Sequence, residues 1–348
     1  MEMIRFGRTG LTVSRTGFGA IPIQRIAEAE STKLLRAALD AGVTLYDTAR
    51  GYSDSEEKLG KAFRHERDRV VLATKTPSAD PAKILVDLET SLRNLRTDHV
   101  DIYQFHNPKS LGLVTGAALE AVLRAREQGK IRFIGITNHS LAVAAAALES
   151  GLFDSVQYPF NYLSTEGEEA FVRRCAQLDV GFLAMKAMSG GLITDARLSF
   201  SHLRRFPGVV PIWGMQRQEE LAQFIELERN PPSFDDPEIQ TAIARDRVEL
   251  SGSFCRGCGY CLPCPAGISI PMAARVSLFV KRMPVSRFMT EEFRADMARV
   301  RDCIECRACA ARCPYGLDVP GLLKRQLGLY EDFRNGEPAA EKPDVLSS

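Results

Sequence analysis

Eight short apolar runs, rich in β-branched residues, alternate with amphipathic stretches through the first 230 residues, and this alternation restricts the fold more than any other feature. The runs are TGFGA (16–20), VTLYDT (43–48), VVLATK (70–75), VDIYQFH (100–106), IRFIGITN (131–138), SVQYPFN (155–161), GFLAMK (181–186) and VVPIWG (209–214). Segments of helical period such as STKLLRAALDAG, PAKILVDLETSLRNL and EGEEAFVRRCAQL lie between them, and RQEELAQFIELER follows the eighth. Near-continuous apolar character marks strands buried on both faces, which is the signature of a parallel sheet. Eight strand–helix units of this total length predict an α/β fold, a closed (β/α)8 TIM barrel. A doubly wound open sheet is the alternative, but it would not require eight regular repeats. The opening MIRFGRTGLTVS reads as a hairpin capping the bottom of the barrel.

Eight of the nine cysteines fall in two runs near the C-terminus. Cys255, Cys258, Cys261 and Cys264 read C-x2-C-x2-C-x2-C-P with Pro265; Cys303, Cys306, Cys309 and Cys313 read C-x2-C-x2-C-x3-C-P with Pro314. Soft thiolates suit zinc or iron–sulfur clusters. Zinc takes four ligands, often as two separated C-x2-C pairs, and stands as the rival reading. Three thiolates at i, i+3 and i+6 can wrap three corners of a cubane from one loop and leave the fourth to a distant cysteine. Together with the closing prolines, the runs resemble the bacterial two-cluster ferredoxin signature, in which the fourth cysteine of each run ligates the other cluster. That resemblance implies two [4Fe–4S] clusters, one on Cys255, Cys258, Cys261 and Cys313, the other on Cys303, Cys306, Cys309 and Cys264. The long gap between the runs holds PMAARVSLFVKRM and TEEFRADMARVRD, both of helical period. Residues 251–322 therefore resemble the α-helical ferredoxin domains of larger redox enzymes, a small, mainly α-helical ferredoxin-like domain after the barrel. Cys175, inside FVRRCAQL, reads as a buried structural thiol.

A length of 348 residues with 45% apolar content suits two domains. The barrel is expected over 1–230 and a linker or helix over 231–250, beginning at the proline-rich, acidic PPSFDDPE. The cluster domain would then occupy 251–322, with a C-terminal helix and disordered tail over 323–348. A net charge of +1 gives no reason to expect nucleic acid or an anionic membrane as partner. The N-terminal MEMIRFGRTG lacks the apolar region of a signal peptide, and the longest apolar run, 141–148, is too short to span a bilayer. With so many free thiols, these features indicate a reducing cytoplasm and make disulfides a poor fit.

Barrel active sites form at the C-terminal ends of the strands. Those ends carry Asp47, Lys75 and His106 on three consecutive strands, and Tyr52 lies five residues beyond Asp47. Each has a plain reading alone: a turn residue, a snorkelling lysine, a core imidazole, a surface aromatic. Convergence of three ionisable groups on one patch of the mouth favours a catalytic site.

LYDTARGYSDSEEKLGKAF, LATK, DIYQFHNP, GKIRFIGITN and VQYPFN resemble the successive motifs of the aldo-keto reductases, across residues 1 to about 225. The resemblance implies that Tyr52 protonates a carbonyl oxygen as hydride arrives, that Lys75 depresses its pKa, that Asp47 anchors Lys75 and that His106 orients the carbonyl. A unit charge ~4 Å away at an effective dielectric of about 20 is worth roughly 4 kcal/mol, enough to bring a phenol of pKa ~10 down by up to about three units. The resemblance also implies that Asn138 and Gln157, assisted by Thr137, bind a nicotinamide carboxamide, and that Met185 packs on its ring where the family often uses an aromatic. Gly214, Met215 and Arg217 fall where the nucleotide phosphates are expected. At the positions that many members use to bind a 2′-phosphate, Gly214 and Glu220 replace Lys and Arg, leaving Arg217 as the nearby cation, so NADP and NAD both stay open.

Hydride carries two electrons and each cluster accepts one. Coupling them normally needs a mediator such as a flavin, yet no G-x-G-x-x-G follows any strand. The expected function is an NAD(P)-dependent oxidoreductase acting on a small carbonyl or alcohol, with ferredoxin or another redox protein as partner. An electron-transfer protein using a barrel-bound flavin, and a reductase whose clusters only hold the fold, are the alternatives.

Overall fold

A computed structural model describes residues 1–250, 254–282 and 285–336. A hairpin opens the chain: β1 (Met3–Arg5) pairs antiparallel with β2 (Thr12–Ser14). Eight parallel strands then close into a barrel: β3 (Gly17–Gly19), β4 (Leu45–Asp47), β5 (Val71–Thr76), β6 (Val100–His106), β7 (Ile131–Thr137), β8 (Ser155–Pro159), β9 (Gly181–Met185) and β10 (Val209–Gly214). Each pairs with its sequence neighbours, and β10 returns to β3 through Ile212 opposite Gly17. The TIM barrel expected from the alternation is present, with each of the eight runs supplying one strand.

Helices α1 (Glu28–Asp40), α2 (Ser55–Ala62), α3 (Pro81–Leu95), α4 (Ala117–Glu127), α5 (Leu141–Glu149), α6 (Glu166–Gln177), α7 (Ala196–Arg204) and α8 (Gln218–Arg229) follow the strands in turn. Their starts are written locally. Asp80 accepts from the Lys83 amide ahead of Pro81, and Thr165 with Glu168 forms a reciprocal capping box. Helix α9 (Pro237–Glu249) follows the Pro-rich break and is bound to the barrel through the hydrogen bond from the Arg247 guanidinium to the Tyr162 carbonyl, 2.8 Å.

The bottom of the barrel is plugged. Phe6, Leu11 and Val13 from the hairpin pack with Leu45, Val71, Ala73, Ile102, Leu183, Val210 and Ile212, all pointing inward. A Cβ at Gly181 would lie 2.5 Å from the Phe6 ring, so the start of β9 must be glycine for this plug to seat. Polar side chains of the strands are thereby confined to the upper interior.

The chain divides into two compact units, the barrel with α9 to Arg247, and a second unit formed by Ser189–Thr194 with the described residues from Val248 on. The second unit holds α10 (Ile270–Ala273), α11 (Val276–Arg282), α12 (Glu291–Ala298), α13 (Ala308–Ala311) and α14 (Val319–Arg334). The single helical period read over PMAARVSLFVKRM is two helices. The Arg275 side chain donates to the Pro271 carbonyl at 2.8 Å, and its amide takes Met272 three residues back, which tightens the chain and ends α10. Leu192, from the loop after β9, is fully buried in this unit's core with Ile270, Phe279, Val319 and Leu323. The tail over 337–348 lies outside the described residues. Among those described, no helix is long and apolar enough to cross a membrane.

Candidate functional site

Asp47 is the last residue of β4, Lys75 lies near the end of β5 and His106 ends β6. The loop that carries Tyr52 is stapled to β5: the Thr48 amide donates to Ala73 O at 2.8 Å and the Arg50 amide to Lys75 O at 3.0 Å. Arg50 also pairs with Glu56, which is buried and accepts from Thr74 at 2.7 Å and Asn94 at 3.2 Å. The turn then places Tyr52 against His106, with ring centres 5.7 Å apart and planes at 81°.

Lys75 is the centre of the arrangement. Its ammonium is buried, 2.6 Å from Asp47 Oδ2 and 2.6 Å from the Thr48 carbonyl, and 5.3 Å from the centre of the Tyr52 ring. Burial pushes the Lys75 pKa down, while Asp47 and then Glu56 pull it back towards the charged form. Burial, seconded by the Lys75 charge, holds the His106 imidazole down to about 3. His106 is therefore neutral through the ordinary working range and keeps one N–H to donate.

The residues expected to meet a nicotinamide stand on the next three strands. Thr137 pairs with Gln157 across β7 and β8, and Thr137 Oγ1 lies 4.0 Å from Met185 Sδ. Gln157 donates to Asp47 at 3.3 Å, and its Oε1 is buried without a hydrogen-bond partner among the described residues. Asn138 donates to Pro108 O at 2.8 Å and accepts from the Ser140 amide at 2.8 Å. Met215 is fully buried in the barrel core, so it has only backbone to offer a ligand. Arg217 is committed to Glu220, 3.0 Å from its Nε and 2.8 Å from its Nη2.

In the second unit the thiols ring two cavities. One is lined by Cys264, Cys303, Cys306 and Cys309. The other is lined by Cys255, Cys258, Cys261 and Cys313. Each cavity thus takes three thiols from one run and the closing thiol of the other. Among the described residues no three His, Cys, Asp or Glu converge closely enough to hold a single metal ion. Four sulfurs spread around a cavity would suit a polynuclear cluster better than a single ion. Cys175 belongs to neither set; it is fully buried, and burial pushes its thiol up to about 12.

Residues 15–231 match the aldo/keto reductase family. The chain belongs to that family. Residues 254–318 match the 4Fe-4S dicluster domain. This aldo/keto reductase is 34% identical over 213 residues to aldo-keto reductase YhdN of Bacillus subtilis (strain 168), covering 56% of the chain and 64% of YhdN. It thus spans less than two thirds of that relative's length. Its fold is similar to that of an aldo-keto reductase from Klebsiella pneumoniae solved in complex with NADPH, at 26% identity and a TM-score of 0.62, over 71% of this chain and 95% of that one. The holo form of an aldo-keto reductase from Bacillus halodurans, 21% identical with a TM-score of 0.64 over 71% and 96%, shares the fold.

Two groups of this aldo/keto reductase's site escape sequence reasoning. Gln104, buried in β6, donates to Asp47 Oδ1 at 3.1 Å, and the Thr48 carbonyl accepts a hydrogen bond from Lys75. Gln104 had a signal: it is the polar interruption in VDIYQFH and shares strand parity with His106. A backbone carbonyl has none.

Proposed function

We propose that the protein is an NAD(P)-dependent oxidoreductase that interconverts a small carbonyl compound and its alcohol, and that two [4Fe–4S] clusters exchange electrons one at a time with a redox partner such as a ferredoxin. The observation that carries the first half is the buried Lys75 ammonium, fixed by Asp47 and Thr48 beside the ring of Tyr52. A dinucleotide bound there would supply a hydride, a proton together with two electrons, to the carbonyl carbon. Tyr52 gives its hydroxyl proton to the carbonyl oxygen, and the phenolate left behind is stabilised by Lys75 until solvent restores the proton. Neutral His106 donates an N–H to the same oxygen and orients it. Asp47 balances the Lys75 charge, while Gln104 and Gln157 hold the Asp47 carboxylate in place.

The buried, partnerless Oε1 of Gln157 fits the amide N–H of a nicotinamide carboxamide. Thr137 and Asn138 would flank that group and Met185 would pack on the ring, with Gly214, the Met215 backbone and Arg217 on the phosphate side. For the second half, the support is the crossed lining of the two cavities, which suits cluster ligation by three thiolates of one run and one of the other. Cys306 is exposed, which favours exchange with an outside carrier.

Tyr52→Phe tests the acid role. Dinucleotide binding and iron content are expected to stay, while carbonyl reduction falls by roughly 10²–10⁴-fold. Retained turnover removes Tyr52 from that role. Anaerobic addition of NADH or NADPH, followed by absorbance bleaching and EPR, tests whether the two halves exchange electrons.

A further inference from the structure

Among the described residues of the second unit, one cation is buried, Arg275. It is 7% exposed, and it rests on neutral groups: Pro271 O at 2.8 Å, Gly190 O at 3.0 Å and the Phe279 ring at 4.6 Å. Its guanidinium lies flush against the first cysteine loop. A Cβ at Gly257 would fall 2.7 Å from the guanidinium carbon and both terminal nitrogens, and Gly257 has φ +64°. Glycine is favoured there by conformation, and any Cβ would displace the guanidinium. Gly257 stands between Cys255 and Cys258, and its amide donates to Cys255 Sγ at 3.4 Å.

We propose that Arg275 sets the reduction potential of the cluster held by Cys255, Cys258, Cys261 and Cys313 above that of its neighbour, making it the electron sink of the pair. The inference rests on reading the eight cysteines as two [4Fe–4S] sites. A cluster gains negative charge on reduction, and its potential follows the net charge, hydrogen bonding and solvent exposure around it. A cation out of water, beside the ligand loop, favours the reduced form more than the same cation in water. Arginine stays protonated in such settings.

The other cavity has cations of a different kind. Arg307 is exposed and paired with Asp318 at 3.2 Å. Arg312 is half-buried and donates to the carbonyls of Cys261, Leu262 and Pro263. Water reaches this side, since Ile304 and Cys306 are exposed, and it screens both charges.

The test is an EPR-monitored potentiometric titration of the full chain, with iron and acid-labile sulfide assayed first, on the wild type, Arg275→Gln and Arg275→Lys. The wild type is expected to show two separate one-electron steps. In Arg275→Gln, the reduced-to-oxidised ratio at the wild-type upper midpoint falls by about tenfold or more, ~59 mV for a one-electron couple, and the lower step stays. Arg275→Lys keeps the upper step within about threefold in that ratio. Coincident steps in the wild type, or an unmoved upper step in cluster-replete Arg275→Gln, overturn the proposal. Should Arg275→Gln lose its clusters, Arg275→Lys decides: a tenfold fall with the charge retained overturns it, and a retained step supports it. Absence of iron and sulfide from the wild type would instead remove the cluster reading itself.

Discussion

The barrel mouth and the cluster unit solve opposite problems. In the barrel, every charge at the centre is answered by a group the chain supplies. Asp47 accepts from Lys75, Gln104 and Gln157, and the strands that carry them are fixed from below by the Phe6 plug. In the cluster unit the apolar core surrounds two cavities, and Cys255, Cys264, Cys303, Cys309 and Cys313 pack against that core. Its helices α10 and α13 are four residues each, too short to hold themselves. The barrel site is preorganised before any ligand arrives, whereas the second unit, on the proposed reading, is completed by what its cysteines bind.

The largest effect should come from removing that completion. Where a site does not pre-exist in the unfolded chain, binding energy is folding energy. Anaerobic iron chelation, or Cys261→Ala at the most buried of the eight thiols, is expected to expose the chain beyond residue 250 to protease. It should also open the Ser189–Thr194 loop, which belongs to that unit although it lies within the barrel's sequence. The barrel's own melting transition is expected to persist. Unchanged protease resistance with the iron gone would erase the contrast between the two regions.

The barrel half of the comparison is sharpened by Lys75→Met. Removing one partner of a buried ion pair leaves the other charge uncompensated, at a cost of about 3–5 kcal/mol. Denaturant unfolding of the barrel should show that loss, and adding Asp47→Asn should recover part of it, since the two residues are in contact. A loss below ~1 kcal/mol would mean that water, and not the chain, balances the charge.

How much of this was legible is uneven. Asp47, Lys75 and His106 were readable because strand period and barrel geometry put strand-end side chains at one mouth. The crossed cysteine sets were readable only through the resemblance to the two-cluster ferredoxin signature, in which the fourth cysteine of each run ligates the other cluster. Arg275 was not readable, because its surroundings come from Gly190, Gly257 and Phe279, far apart in sequence and joined by packing. The commitment of Arg217 to Glu220 was half-visible as an i, i+3 pair, but its effect on the helix start needed the geometry. Burial of Met215 was hidden, since one apolar residue past a strand end has no period to place it.

A smaller effect separates the regions by pH. His106 has its folded pKa held down to about 3, below the ordinary 6.5. Between those values the unfolded chain binds the extra proton, so His106 contributes stability above pH ~6.5 that is lost as pH falls towards 3, at up to ~1.4 kcal/mol per pH unit. His202, also held to about 3 by burial, behaves in the same direction. Acid titration of barrel stability should therefore be shallower in His106→Gln than in the wild type, with the His202 share remaining. Equal slopes would show that His106 is solvated enough to protonate in the folded state.

The smallest expected effect lies at the start of α8. Glu220 accepts from the Gln216 amide at 2.8 Å and the Arg217 amide at 3.2 Å, and it also pairs with the Arg217 guanidinium. A carboxylate thus occupies a helix N-terminus, the place where a phosphate would otherwise find amides and a favourable dipole, and it neutralises the nearby cation. Glu220→Gln keeps a capping oxygen but removes the charge, releasing Arg217. An exposed pair of this kind is worth up to ~1 kcal/mol, so the preference for NADPH over NADH, read as the ratio of their Kd values, should rise by up to about fivefold. Arg217→Ala in that background should return the ratio to its starting value. If Glu220→Gln strengthens both dinucleotides equally, Arg217 does not face the 2′-phosphate, and the relief comes from the helix terminus alone.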